Sequence, residues 1–178
     1  MATKSELRRY IKQEKATRSP EELLHLSFDI LNKLEQLPAF QHSKTILLYH
    51  SLNDEVNTHD FIQKWSASKT IILPVVHGDL LDLRYYTTST ATHEGAFGII
   101  EPEGQLLTDY NKIDLVIVPG VAFDAEGHRL GRGKGYYDKL LPHVAAPKIG
   151  ICFPFQLLDR IPTEETDINM DKVLTCDS

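Results

Sequence analysis

The chain has 178 residues, of which 42% are hydrophobic and 25% charged, and its net charge is −6 at pH 7. This balance is typical of one soluble globular domain, residues 1–178, and it argues against the broadly basic surface of a nucleic-acid-binding protein. The two cysteines, Cys152 and Cys176, lack disulfide-framework or zinc-site spacing and no apolar run can span a bilayer, so we expect a cytoplasmic protein with no membrane partner.

Two helices are predicted at the start of the chain. Thr3 with Glu6 forms a candidate capping box that opens the first helix. Ser19 followed by Pro20 indicates the start of the second helix, and Pro38 is expected to end it.

Apolar runs bounded by turn signals predict the strands that follow. The predicted strands cover residues 45–49, 69–76, 81–86, 114–119, 148–152 and 172–175, and helices are predicted at 58–66 and from Tyr136 to Pro142. Strands that alternate with helices favour a three-layer α/β fold, with helices on both faces of a mainly parallel sheet. Ligands of such sheets bind beyond the carboxyl ends of the strands, so the loop after Pro119 is the first place to expect chemistry.

Positive charge is concentrated in two islands of this acidic chain. Residues 1–18 contain six basic and two acidic residues, and residues 128–139 contain four basic residues and one acidic residue. Such islands fit a focused pocket for a compact polyanion. Two solvated surfaces would produce the same pattern, so charge alone leaves both interpretations open.

A glycine-rich basic loop carries the second island into a predicted helix. Gly131, Gly133 and Gly135 alternate with Arg132 and Lys134. Glycine lets backbone amides approach a ligand closely, and the cations and the helix N-terminus attract negative charge. The loop therefore favours a phosphate-binding site, with a purely structural turn as the alternative.

Two better-known phosphate motifs are excluded at this loop. A Walker A motif would need glycine in place of His128 and serine or threonine in place of Gly135. A dinucleotide-binding fingerprint beginning at Gly131 would need glycine in place of Tyr136.

Six motifs follow one another along nearly the whole chain. They are the pair Lys4 and Arg8, and the segments 51–58, 98–102, 118–124, 129–138 and 171–174. In this order, and above all through residues 131–138 (Gly-Arg-Gly-Lys-Gly-Tyr-Tyr-Asp), the chain resembles the 5-formyltetrahydrofolate cyclo-ligase family. The resemblance implies one domain related in fold to sugar-phosphate isomerases and CoA transferases. It also implies an enzyme that uses ATP and Mg²⁺ to close 5-formyltetrahydrofolate to 5,10-methenyltetrahydrofolate, with release of ADP and phosphate.

The resemblance also implies the roles of individual residues. The implied nucleotide-binding residues are Lys4, Arg8, Arg129, Gly131, Arg132, Gly133, Lys134, Gly135, Tyr136 and Tyr137. The implied catalytic residues are Arg132, Lys134 and Tyr137, and the implied substrate contacts are His50, Glu55, Arg132 and Tyr136. The implied magnesium ligands are Asp138 and Asp171.

Each of these roles has a structural alternative. Lys4 and Arg8 lie four residues apart on one helix face, where charges are often merely solvated. Asp138 suits a helix N-terminus whether or not it binds metal, and His50 is also consistent with an ordinary strand-end histidine. The role of Asp171 rests on the resemblance alone. We expect four further cations to be surface charges: Arg9, Lys12, Lys15 and Arg18.

The implied chemistry needs no covalent enzyme nucleophile. The formyl oxygen would attack the γ-phosphate of ATP, and a neighbouring folate nitrogen would then displace phosphate from the activated carbon. Positioning and charge neutralisation are the main demands of such phosphoryl transfer, and Cys152 is expected to be an inert core thiol. We expect a monomer that acts on a small-molecule folate, with or without a polyglutamate tail. A related enzyme acting on sugar phosphates or CoA thioesters, and a binding module, are the alternatives.

One position departs from the family pattern. Thr166 precedes Asp167 where the family often has histidine or tryptophan. We expect this position to be structural.

Overall fold

A computed structural model describes residues 1–177. The helices are α1 (Lys4–Ala16), α2 (Pro20–Gln36), α3 (Pro38–Gln41), α4 (His59–Ser66) and α5 (Tyr136–Leu140). The strands are β1 (Thr45–Leu47), β2 (Thr70–His77), β3 (Leu80–Tyr86), β4 (Thr92–Glu94), β5 (Ile100–Pro102), β6 (Leu115–Val118), β7 (Ala122–Asp124), β8 (Arg129–Leu130), β9 (Lys148–Ile151), β10 (Leu157–Leu158) and β11 (Lys172–Leu174).

Six strands form the central sheet, in the order β11-β9-β6-β1-β2-β3. All neighbouring pairs are parallel except β2 with β3, which are antiparallel. Residues 81–86, predicted as a strand, therefore pair with the strand that precedes them. The carboxyl ends of β1, β6 and β9 face one edge of the sheet, so the loops that follow these strands lie close together.

Helices cover both faces of the sheet, because successive strand residues point to opposite sides. Ile46 and Ile117 pack with α2, α3 and α4 in one buried cluster. Their chain neighbours Leu47 and Val116 pack with α5 residues such as Leu140 in a second cluster. This arrangement confirms the predicted three-layer α/β fold.

The predicted helix starts are confirmed by their caps. The Thr3 hydroxyl accepts a hydrogen bond from the amide of Glu6, and the Ser19 hydroxyl accepts one from Glu22. Pro38 ends α2 as expected, but it also opens the short helix α3, which its missing amide favours. Among residues 1–177, no helix combines the length and apolar character needed to cross a membrane.

The segment between β6 and the glycine-rich loop contains two short strands that were not predicted. β7 and β8 pair antiparallel, and β10 joins them in a small three-stranded sheet. β4 and β5 form another hairpin that was not predicted. Strands of two or three residues are too short to show hydrophobic alternation, so the sequence pattern carries no signal for them.

The buried carboxylate of Asp124 holds the turn between β7 and β8. It accepts hydrogen bonds from the amides of Glu126, His128 and Ile161, and from Nδ1 of His128 at 2.8 Å. Burial raises the pKa of Asp124, but the hydrogen bonds from His128 and from the Ile161 amide lower it by more. The pKa is therefore below its usual value, and the carboxylate stays ionised. Asp124 thus fixes the stem from which the glycine-rich loop emerges.

Candidate active site

A cavity of about 970 Å³ opens at the carboxyl edge of the central sheet. Its walls include Tyr49 and His50 after β1, and Pro119 and Gly120 after β6. The glycine-rich loop and α1 close the other side. The cavity therefore lies where ligands of parallel α/β sheets bind.

All but one of the predicted site residues line this cavity. They are Lys4, Arg8, His50, Glu55, Arg129, Gly131, Arg132, Gly133, Lys134, Gly135, Tyr136, Tyr137 and Asp138. The fold thus brings both basic islands of the sequence to one concave surface. Asp171 is the exception.

Asp171 lies at the amino end of β11, at the opposite edge of the sheet. Its carboxylate accepts a 2.8 Å hydrogen bond from the amide of Lys148, the first residue of β9, and its own amide binds the Lys148 carbonyl. Both strands run parallel to β6, whose carboxyl end lies at the cavity. The amino ends of β9 and β11 therefore point away from the cavity. The structure therefore does not assemble the predicted pair of Asp138 and Asp171, and in it Asp171 caps a strand.

The first helix is tied to the glycine-rich loop by Arg8. Its Nε donates a 2.8 Å hydrogen bond to the carbonyl of Gly131. Lys4, one turn earlier, lies 3.2 Å from a carboxylate oxygen of Glu164 and 3.5 Å from one of Asp167. The face of α1 that carries Lys4 and Arg8 is therefore part of the cavity wall.

Two glycines of the loop adopt backbone angles that other residues rarely do. Gly133 has φ +100° and Gly135 has φ +73°, so the chain there keeps its amides free of covering side chains. The helix that follows, α5, has only five residues. Its dipole is correspondingly small, so we attribute the positive potential mainly to Arg132 and Lys134.

Arg129 is a buried support of the loop rather than a free cation. Its side chain is 8% exposed, its Nε donates to the carbonyl of Pro119 at 2.7 Å, and its guanidinium lies 5.2 Å from the ring centre of Tyr137. One of its terminal nitrogens is 3.7 Å from the Asp138 carboxylate. Burial lowers the pKa of Arg129, and Asp138 partly offsets this. Arg129 can therefore orient both Tyr137 and Asp138.

Arg132 projects from the loop and remains 47% exposed. Its guanidinium is 3.1 Å from a carboxylate oxygen of Asp54 and 3.6 Å from one of Glu55. Lys15 approaches the other oxygen of Asp54 at 3.4 Å, and its side chain is only 9% exposed. The expectation that Lys15 is a surface charge is wrong, because the loop before α4 folds over it.

The remaining loop cation, Lys134, faces the β4–β5 hairpin. Its ammonium lies 5.8 Å from the ring centre of Phe97, which is 58% exposed and has φ 59°. A left-handed conformation is rare for a residue with a side chain and here turns the ring toward the loop. The hairpin and the loop therefore face each other across the mouth of the cavity.

One part of the cavity lining, called the floor below, is apolar. It is formed by Leu52, Pro74, Val76, Leu81 and Ile99. Two carboxylates border these groups: that of Glu55, which accepts the amide of Leu52, and that of the buried Glu101, which accepts a 2.8 Å hydrogen bond from the amide of Val76. An apolar floor with few polar groups suits an aromatic ligand. Glu101 lies in one of the six motifs, but its burial was not evident from sequence.

His50 stacks on His59 at the edge of the cavity, with 3.9 Å between the ring centres. Burial, and to a smaller extent His59, lower the pKa of His50 to about 4, so its imidazole is neutral at pH 7. A second cavity of about 320 Å³ lies behind the pair and shares His50 with the first. His50 thus offers a neutral hydrogen-bonding group to either space.

Thr166 and Asp167 also line the cavity. We expected position 166, which departs from the family pattern, to be structural, but it lies on the surface of the cavity. The carboxylate of Asp167 contacts Lys4. A substitution at Thr166 therefore changes the surface beside a candidate nucleotide-binding lysine.

The residues present fit a magnesium ion only in part. Within residues 1–177, no three histidine, cysteine or acidic side chains are grouped so as to hold a metal. Of the two predicted magnesium ligands, Asp138 lines the cavity and Asp171 does not. Mg²⁺ needs only one or two carboxylates when phosphate oxygens and waters complete its shell, so Asp138 remains a suitable single ligand.

Comparison with known proteins gives the same result in sequence and in structure. A model described as the 5-formyltetrahydrofolate cyclo-ligase family matches residues 1–176. The 5-formyltetrahydrofolate cyclo-ligase of Haemophilus influenzae is 36% identical over 154 residues, which cover 81% of this chain and 80% of that protein. The enzyme of the same name from Escherichia coli K12 is 30% identical over 175 residues, covering 93% and 96%.

Two solved structures have the same fold. The 5,10-methenyltetrahydrofolate synthetase of Aquifex aeolicus aligns with a TM-score of 0.87 and 39% identity, over 97% of this chain and 89% of that one. The 5,10-methenyltetrahydrofolate synthetase of Mycoplasma pneumoniae aligns with a TM-score of 0.80 and 29% identity, over 98% and 99%.

Proposed function

This chain belongs to the 5-formyltetrahydrofolate cyclo-ligase family and is an enzyme of that class, and from this premise we propose that it closes 5-formyltetrahydrofolate to 5,10-methenyltetrahydrofolate with ATP as co-substrate. The observation that carries the proposal is the composition of one cavity. Its glycine-rich loop and α1 bring cations to one side, and its floor is apolar. A triphosphate and a pterin ring need these two surfaces side by side.

The triphosphate would lie against the glycine-rich loop. Arg132 and Lys134 can neutralise its oxygens, and the open backbone at Gly133 and Gly135 can donate amides. Arg8 holds this backbone from the side of α1. Arg129 is buried against Pro119 and Asp138, so its contribution would be support of the loop.

The folate would occupy the apolar side, near Glu55 and His50. The Glu55 carboxylate already accepts the amide of Leu52 through one oxygen at 2.8 Å, while the other is 3.6 Å from Arg132. A carboxylate fixed in this way can accept hydrogen bonds from ring N–H groups. Tyr136 and Tyr137 provide aromatic surface between the two halves of the cavity.

The chemistry then proceeds through a phosphorylated formyl group. The formyl oxygen attacks the γ-phosphorus, and the bond to ADP breaks. The neighbouring folate nitrogen attacks the activated carbon, loses its proton, and phosphate leaves with the former formyl oxygen. Arg132 and Lys134 would stabilise the charge that spreads over the phosphoryl oxygens, in a site that positions both substrates.

Magnesium would be held by Asp138, with phosphate oxygens and waters completing its shell. A bound divalent cation would add charge neutralisation at the phosphates. Arg129 contacts the same carboxylate at 3.7 Å and so can orient Asp138 toward the cavity.

The proposed reaction needs no covalent enzyme intermediate, and Cys152 is outside the residues that line the cavity. Cys152 is fully buried, and burial raises the pKa of its thiol to about 12, so the reactive thiolate is not populated at neutral pH. This agrees with a reaction in which ATP, and not a side chain, activates the formyl group.

An absorbance assay tests the proposed function. Purified protein is mixed with 5-formyltetrahydrofolate and Mg²⁺, ATP is added, and the near-ultraviolet band of the methenyl product is followed. We expect a rise that requires both ATP and Mg²⁺. Product formation without ATP would refute the phosphoryl-transfer route, and a flat trace from folded protein would refute the activity.

A further inference from the structure

Three charged side chains form a chain of contacts from the first helix to the glycine-rich loop. Lys15 lies 3.4 Å from one carboxylate oxygen of Asp54, and Arg132 lies 3.1 Å from the other. Lys15 is seven residues after Arg8, two helical turns along the same face of α1. Between them Ile11 is buried against the small sheet formed by β7, β8 and β10. The helix therefore reaches the loop directly through Arg8 and, by way of Asp54, from Lys15.

The position of Lys15 is unusual for a lysine on a surface helix. Its side chain is only 9% exposed, and burial lowers its pKa, with Asp54 opposing the change. Removing an ammonium group from water is costly unless a counter-charge is present. Lys15 thus belongs to a built contact and not to the solvated surface of α1.

Asp54 is shared between two cations. Although burial by itself raises the pKa of Asp54, Lys15 and Arg132 together lower it below its usual value. The carboxylate therefore remains ionised and can hold the guanidinium of Arg132. Arg132 needs such a partner, because its neighbours are Gly131 and Gly133 and its half-exposed side chain has many rotamers.

We infer that Lys15 and Asp54 are positioning residues for Arg132, with Asp54 holding its guanidinium at the cavity wall and Lys15 offsetting the charge of Asp54. This inference rests on the proposed function in that the anion which Arg132 meets is a nucleotide phosphate. Neither Lys15 nor Asp54 need touch the substrates to act in this way.

The charges show why Lys15 matters for an anionic ligand. Arg132 lies within 4 Å of two carboxylates, those of Asp54 and Glu55, so these three groups alone carry one net negative charge. Lys15 brings the set to neutrality. Without Lys15, an approaching phosphate would be repelled by an uncompensated carboxylate. Asp54 would also bind Arg132 more strongly and would compete with the phosphate for its guanidinium.

The test compares charge with packing at position 15. Lys15→Met keeps most of the buried alkyl stem but removes the charge, whereas Lys15→Arg keeps the charge. Lys12→Met, on an exposed position of the same helix, is the matched control. The dissociation constant of ATP with Mg²⁺ is measured by calorimetry, and KM for 5-formyltetrahydrofolate by the absorbance assay.

We expect Lys15→Met to weaken nucleotide binding on the order of tenfold, while Lys15→Arg and Lys12→Met stay within about twofold of the wild type. The KM for the folate should change far less than the nucleotide dissociation constant. In an Asp54→Asn background, Lys15→Met should have no further effect, because the charge that it offsets is gone. Melting temperatures check that each variant is folded before its affinity is compared with that of the wild type.

Equal nucleotide affinity of Lys15→Met and Lys12→Met would overturn the inference. So would an undiminished effect of Lys15→Met in the Asp54→Asn background, since Lys15 would then not act through Asp54. A wild-type protein that binds ATP but forms no product would refute the proposed function. The inference about Lys15 would still be decided by the ATP dissociation constants of the same variants. A wild-type protein that binds no nucleotide would overturn both.

Discussion

The Nε atom of Arg8 donates a 2.8 Å hydrogen bond to the carbonyl oxygen of Gly131, and so joins two segments that are 123 residues apart. This contact uses the backbone of the loop and leaves the terminal guanidinium nitrogens of Arg8 near Gly133. One arginine can thus hold the loop and face the cavity at the same time. A planar guanidinium suits this double role better than an ammonium group.

Arg8→Ala should therefore lower kcat/KM by about 10- to 100-fold, because it removes both a loop support and a cation. Arg8→Lys should recover little of the loss, since lysine has no Nε donor in that position. Steady-state rates of methenyl formation measure the effect, with Arg9→Ala on the exposed side of α1 as the control. Wild-type rates in Arg8→Ala would refute the role of the contact.

Arg132→Ala should lower the activity by roughly 10²- to 10³-fold, the loss typical of removing one group that stabilises transition-state charge. The side chain is 47% exposed, so the melting temperature should change by only a few degrees. The exposed Arg160, which is outside the cavity lining, gives the control variant Arg160→Ala. Near-normal turnover by folded Arg132→Ala would exclude Arg132 from phosphate binding.

Gly135→Ala should reduce both stability and nucleotide affinity. An alanine methyl group would meet only the end of the Lys139 side chain at 3.9 Å, so the cost comes from φ +73° and is about 1–2 kcal/mol. Gly78→Ala is a matched control, because Gly78 has φ +62°, has no atom within 4 Å of the added carbon, and lies in the β2–β3 turn. Chemical denaturation and calorimetry should show a similar loss of stability in both variants. Only Gly135→Ala should bind ATP more weakly, and equal ATP affinities would contradict the cradle.

Asp138→Asn should raise the Mg²⁺ concentration needed for half-maximal activity, whereas Asp171→Asn should leave it unchanged. The reason is their placement: Asp138 lines the cavity, and Asp171 binds the Lys148 amide at the other edge of the sheet. Asparagine can still accept that amide, so Asp171→Asn should fold. Magnesium titrations of the two variants decide the point. An increased Mg²⁺ requirement in Asp171→Asn would restore it as a ligand.

The stability of the protein should decrease as the pH falls from about 6.5 to about 4, in part through His50. Its pKa falls from 6.5 to about 4 on folding, so in this interval the unfolded chain binds a proton that the folded protein does not. Asp54 and Asp124, whose pKa values are lowered from 3.8, contribute only at lower pH. Urea unfolding at pH 7, 6 and 5 should show a flatter pH dependence for His50→Gln. The 77% exposed His25 supplies the control His25→Gln, which should keep the wild-type slope.

Local signals determined much of what could be predicted for this protein from its sequence. The caps at Thr3 and Ser19, the alternation of apolar strands with helices, and the glycines of residues 131–135 each depend on neighbours a few residues away. The ordered motifs added the family, and the fold places thirteen of the fourteen predicted site residues in one cavity.

Only the tertiary structure decided which charges meet. Arg132 and Asp54 are 78 residues apart, and although Lys15 lies two turns after Arg8 on the same helix face, no local pattern shows which carboxylate it meets. The order and direction of the strands placed Asp171 at the edge opposite Asp138, although both residues belong to motifs of the same family. Ion pairs depend on the direction and burial of side chains in three dimensions, and a one-dimensional pattern of charge does not contain either quantity.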